Sequence, residues 1–135
     1  MGFRVKLDET EQGRKTAFET YRCLAGDLFE TVELDSDRPF RADVRAWQIG
    51  PMFLHHGLHP AISYQRDRAR ARKDGLDDYG IFGLERGELR FSDGEKEGRL
   101  RPGEVLVIHR SRPITCIPGG MCIAPSIFPG TMPGC

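Results

Sequence analysis

The residues of this 135-residue chain best suited to chemistry are four histidines, His55, His56, His59 and His109. Imidazoles hold transition metals and exchange protons near neutral pH. His55 and His56 are adjacent, so on a strand they point to opposite faces. His55 and His59 share a face but stand roughly 13 Å apart by the rise of an extended chain. One metal ion needs its ligands at about 2 Å, so this pair alone does not hold one. A set that borrows His109 is the metal alternative, and surface or half-buried imidazoles are the simpler reading.

Other chemistries find less support. "RDRARAR" puts Arg66, Arg68, Arg70 and Arg72 on one face if extended, as an anion-binding row or a solvated edge. Asp67, Asp74, Asp77 and Asp78 lie close by and favour the solvated edge. Ser63, Ser92, Ser111 and Ser126 lack a His–Asp context in the sequence, and no Gly-rich phosphate loop is present. Cys23, Cys116, Cys122 and Cys135 form no C-x-x-C pair, which leaves zinc knuckles and thioredoxin-like chemistry unsupported. They read as reduced, structural thiols.

Bulk properties narrow the function classes. Lys+Arg and Asp+Glu are both 20, so the positive surplus that neutralises phosphates is absent, and direct nucleic-acid binding is disfavoured. No apolar run approaches the roughly 20 residues that span a bilayer. The opening "MGFRVKLDET" has no apolar signal core. A cytoplasmic protein without a membrane partner is expected.

The elements that must position these residues follow from periodicity. Ala17, Phe18, Tyr21, Leu24, Ala25, Leu28, Phe29 and Val32 recur at spacings of three and four, predicting one helix within 8–33 that covers a sheet. From residue 36 the period changes to two. "FRADVRAWQIG", "MFLHHGLH", "ISYQRD", "YGIFGLE" and "ELRF" read as strands. Asp93-Gly94 and Pro102-Gly103 mark tight turns. "VLVIH" is apolar on both faces, as a strand between two layers would be, and "ITCI" and "MCIA" follow. The pattern predicts a mainly β chain in three parts. They are a helical segment at 1–35, a β-barrel or jelly roll at 36–125 with the helix packed outside, and a Pro/Gly-rich tail at 126–135.

The run "LERGELRFSDGEKEGRLRPGEVLVIHRSRPI" resembles the cupin-like sensor domain at the N-terminus of AraC/XylS-type transcriptional regulators. Gly87, Asp93-Gly94, Leu100 to Glu104 and Ser111 to Pro113 match that family's hairpin Gly, turn, Pro-Gly turn and closing Pro. "GRKTAFETYRCLAGDLFETVEL" is similar to its leading helix and "FRADVRAWQIGPMFLHH" to its first long hairpin, so the likeness covers roughly residues 12 to 125. The resemblance implies a cupin-like double-stranded β-helix that senses a small-molecule effector or forms a homodimer. It also implies a following helix-turn-helix part, for which "PSIFPGTMPGC" offers no recognition helix. Catalytic cupins carry metal ligands around the same hairpin. Here those slots fall near Lys73 to Gly80 and at Ile114, where no histidine stands. The expectation is therefore a regulatory domain without catalysis, metal or cofactor. The alternatives are a stand-alone metal-dependent cupin enzyme and a purely structural dimerisation module. Candidate effector contacts are Arg45, Trp47, Phe53, His55, Tyr64, Tyr79 and Phe82. An exposed part of the helix stripe would be the dimer surface.

Overall fold

A computed structural model describes residues 2–25, 29–33 and 39–131. It consists of two antiparallel sheets and short helices. The first sheet runs in the order β1 (Gly2–Asp8), β3 (Arg41–Ile49), β4 (Met52–His59), β11 (Cys122–Pro129), β6 (Tyr79–Gly83) and β9 (Val105–His109). The second runs β2 (Glu30–Glu33), β5 (Ile62–Arg66), β10 (Ile114–Pro118), β7 (Leu89–Ser92) and β8 (Glu97–Leu100). Buried side chains from both sheets meet in one core, where Phe53, Ile108 and Phe128 of the first face Leu89, Leu100 and Cys116 of the second. A second cluster lies under the helices, built on Leu7, Ala17, Tyr21, Phe40 and Ile62.

The N-terminal segment differs from the single helix expected at 8–33. Phe3, Val5 and Leu7 alternate, and β1 pairs with β3 along its whole length. Asp8 then caps a one-turn helix, α1 (Glu9–Gln12), by accepting the Thr10 amide at 3.0 Å. Gly13, with φ of 83°, separates it from α2 (Arg14–Ala25). The helical stripe is therefore only Ala17, Phe18, Tyr21, Leu24 and Ala25; Leu28 lies outside the described residues, and Val32 sits on β2.

Three other expectations change. The arginine run is not extended: Asp67 accepts the Arg70 amide at 2.7 Å and opens α3 (Arg68–Asp74), which Gly75 ends in a left-handed conformation. β9 is buried on one face only. Val105 and Val107 point outward and are 63% and 59% exposed. β11 continues through 126–129, past the point where a tail was expected, and lies between β4 and β6 near the middle of its sheet.

Among the cysteines, Cys116 and Cys122 are free and buried, and burial pushes their thiols up to about 12 and about 11. Cys23 is disulfide-bonded, which corrects the expectation of reduced thiols throughout. No described helix is long and apolar enough to cross a membrane.

Candidate functional site: an uncharged cavity beneath the helix

β4 sets the site. Its inward side chains are Phe53, His55 and His59, and its outward ones include Leu54 and His56, as strand alternation requires. Gly57 lies between the two inward histidines at φ 154°, and a Cβ there would stand 2.0 Å from the Asp43 carbonyl oxygen. Only glycine lets β4 approach β3 this closely.

Two adjoining chambers open from this face, with empty volumes of about 480 and 540 Å³ that include space open to solvent. Tyr21, Ala25, His55 and His59 line both. Helix α2 thus forms a shared wall. The smaller chamber runs between α2 and β3, against Val44 and Ala46. The larger runs into the core between the sheets, against Phe29, Tyr64, Phe82, Ser126 and Phe128.

One hydroxyl ties the helix to both sheets. Tyr21 Oη lies 2.7 Å from His59 Nδ1 on β4 and 2.8 Å from Tyr64 Oη on β5. The Tyr64 hydroxyl also donates to the Pro60 carbonyl at 3.4 Å. The other nitrogen of His59 is different: Nε2 is buried and has no hydrogen-bond partner. The Ala124 backbone favours a ring proton, but nothing stands in hydrogen-bonding geometry to Nε2.

Every titratable group here is neutral near pH 7. Burial, with a smaller contribution from His55, lowers the His59 pKa to about 4. Burial also lowers His55. It raises the Tyr21 phenol, and raises Tyr64 with help from the neighbouring Tyr21. Among the described residues no Lys, Arg, Asp or Glu lines either chamber.

The structure brings three of the seven expected contact residues to the cavity: His55, Tyr64 and Phe82. Phe53 lies in the core, stacked on Phe128 at 6.1 Å between ring centroids. Arg45, Trp47 and Tyr79 lie on the opposite face of the sheet, and Tyr79 is 62% exposed. Tyr21, His59, Phe29 and Ser126 line the cavity and were not expected there. His59 had a signal, since it shares the inward face of His55. Ser126 had none, because its prolines made the segment look like a tail.

The remaining histidines point elsewhere. His56 Nε2 is 2.8 Å from Glu85 Oε1, and His109 Nε2 is 2.8 Å from Asp77 Oδ1, with its ring stacked on Tyr79. The expected metal slots hold the last residues of α3, the segment 75–78 and the start of β6, and the buried core residue Ile114. Among the described residues no group of three His, Cys, Asp or Glu side chains is arranged to hold a metal.

The outward face of the first sheet is charged along β1 and most of β3 and carries an apolar row across its middle. Register places Trp47, Leu54, Ile127, Ile81 and Val107 in one row across five strands. Ile49, Tyr79, Ile81, Val105 and Val107 are exposed on this face, whereas the helix stripe faces inward.

No family model and no curated protein matches the sequence. The fold is cupin-like. The chain superposes on the crystal structure of the AraC-like transcriptional activator CuxR with a TM-score of 0.76 at 18% identity, over 94% of this chain and 47% of that one. It thus spans about half of that regulator's length. A cupin superfamily protein from Desulfitobacterium hafniense matches with a TM-score of 0.51 at 11% identity, over 74% of this chain and 84% of that one. A cupin-2 domain protein from Shewanella frigidimarina matches with a TM-score of 0.50 at 14% identity, over 62% of this chain and 74% of that one.

Proposed function

We propose that this chain is the ligand-sensing and dimerisation domain of an AraC-type transcription regulator, acting in the cytoplasm without catalysis or a cofactor. Its sheets would close as a double-stranded β-helix around a small-molecule effector. The CuxR likeness is one of fold. The reading is carried by one observation: Tyr21 of α2 hydrogen-bonds both sheets at the wall of a cavity that reaches the core. A molecule in the chambers would favour one placement of α2 over another and shift the population accordingly. DNA recognition is assigned to no residue of this chain.

The test is a thermal-shift screen of small metabolites against the wild type and Ala25→Leu, which fills both chambers from α2. A ligand at 100 times its Kd stabilises by about 2.7 kcal/mol. That shift is expected in the wild type and lost in the variant. A shift that survives in Ala25→Leu would place binding elsewhere.

The homodimer we propose uses the outward face of β6 and β9, because its exposed apolar stripe is contiguous and monomers scatter such residues singly. Val107→Glu is expected to lower the sedimentation coefficient from that of a dimer to that of a monomer. An unchanged value would exclude this face.

A further inference from the structure

On the premise that the dimer reading above holds, the backbone of β9 narrows how the two copies meet. We infer that β9 of one copy pairs antiparallel with β9 of a second copy, Val107 opposite Val107, so that the first sheet runs on without a break across the dimer.

β9 ends its sheet, and its outer rim is open. Beside the β6 pairing, the Leu84 amide donates to the Glu104 carbonyl at 3.2 Å and the Arg110 amide to the Asp78 carbonyl at 2.9 Å. Antiparallel strands exchange bonds at every second residue, so Leu106 and Ile108 carry the bonds to Phe82 and Gly80. Val105, Val107 and His109 therefore turn their backbone groups away from β6, and among the described residues no strand pairs on that side. Exposure agrees. Val105 and Val107 are 63% and 59% exposed, against 44% for Ile81, which lies on the same face but between two strands.

The other sheet edges are guarded and this one is not. β1 carries exposed Arg4 and Lys6, β2 exposed Glu30, and β8 exposed Glu97 and Arg99. Such charges deter a second chain from adding to an edge. From Val105 to His109 there is no Lys, Arg, Asp or Glu, and Val105, Val107 and Ile108 are β-branched. Ile108, 1% exposed, is anchored in the core, which fixes the backbone groups that the rim presents. The occupant is a second copy because the strand complements itself. With Val107 on a two-fold axis, Val105 of each copy stands opposite His109 of the other, and Glu104 opposite Arg110, so no like charges meet. Joining β9 to a different edge would leave an open edge on every copy and grow a chain of them, whereas the two-fold pairing closes.

The experiment follows amide hydrogen exchange residue by residue in the wild-type chain, at a dilution where sedimentation reports monomer and at a concentration where it reports dimer. The Val105 and Val107 amides are expected to exchange at least about tenfold more slowly in the dimer. A dimer mixed from isotope-labelled and unlabelled copies should show a contact between the Hα atoms of Leu106 and Ile108 across the copies, because opposed residues that share no hydrogen bond stand closest. Val107→Pro removes an amide that faces the open rim and none that bonds β6. It is expected to sediment as a monomer. The exchange measurement uses the wild type and so stands independently of how that variant folds. A wild-type dimer whose Val105 and Val107 amides exchange as fast as in the monomer, or a Val107→Pro chain that stays dimeric, overturns the edge pairing and leaves a dimer by other contacts standing. A wild-type chain that is monomeric at every concentration overturns both.

Discussion

Among the described residues two buried polar clusters are built on opposite logics. Around Arg66 and Arg110 the groups are charged and paired. Arg110 pairs two-pronged with Asp78, its Nη2 reaching Oδ2 at 2.7 Å, and it also donates to the Pro129 carbonyl at 2.8 Å. Arg66, 1% exposed, donates to the Arg110 carbonyl at 2.7 Å and lies 3.0 Å from Asp74. Around His59 the groups are neutral: three rings share two hydrogen bonds, and one buried ring nitrogen has no hydrogen-bond partner. A paired ionic cluster fixes strands, because removing one member strands a charge in the core. A neutral cluster joins elements without that liability. The first ties strands by charge and the second ties α2 to β4 and β5 by uncharged hydrogen bonds.

The sharpest way to break this contrast is at Asp78. Asp78→Ala leaves the Arg110 guanidinium buried without its counter-ion, and a loss of about 3–5 kcal/mol in urea unfolding is expected. A loss well under 1 kcal/mol would mean that the charged cluster does not hold the fold.

Acid comes next, and its sign follows from the neutral cluster. His59 titrates at about 4 in the fold, against about 6.5 in an unfolded chain. The unfolded chain therefore takes up its proton first as pH falls. Stability from this site is complete above about pH 6.5 and is lost on the way down to pH 4, about 3 kcal/mol in all. His55, lowered by burial, acts in the same direction. The carboxylates of Asp8, Asp43 and Asp93 are held below their ordinary range by hydrogen bonds and lose their contribution at lower pH still. Urea midpoints from pH 7 to 4.5 should fall steeply in the wild type and less in His59→Phe. Equal slopes would show that the ring is already charged or solvated in the fold.

The smallest effect belongs to the exposed surface. Arg4 and Asp43 form a two-pronged pair between β1 and β3 at 2.8 and 2.7 Å, open to water. Arg4→Ala is expected to leave the urea midpoint unchanged within error, as exposed pairs usually do. A clear drop would add a third clamp, at the sheet edge.

How much of this was legible in the sequence depends on how local each signal is. The strand runs and tight turns around Asp93-Gly94 and Pro102-Gly103 were readable, because alternation and turn chemistry act over a few residues. The opposed faces of His55 and His56 were readable for the same reason. Strand β1 was missed although Phe3, Val5 and Leu7 alternate, because its charged outward residues resemble a leader before a helix. The arginine run showed charge more loudly than its caps, Asp67 and Gly75. Tyr21, His59 and Tyr64 come from three elements and meet only through long-range pairing, so no spacing along the chain announces them. The exposure of Val105 and Val107 was hidden too: an apolar strand reads the same whether a second layer or open water covers its far side.

The position of β11 has a consequence for how the molecule is made. Among the described strands it comes last in sequence order, yet it joins β1, β3 and β4 on one side to β6 and β9 on the other. Until the ribosome has added residues 122–129, those two halves share no hydrogen-bonded partner, and the wall that carries Ser126 and Phe128 does not exist. The chamber therefore closes only when β11 takes its place between the two halves.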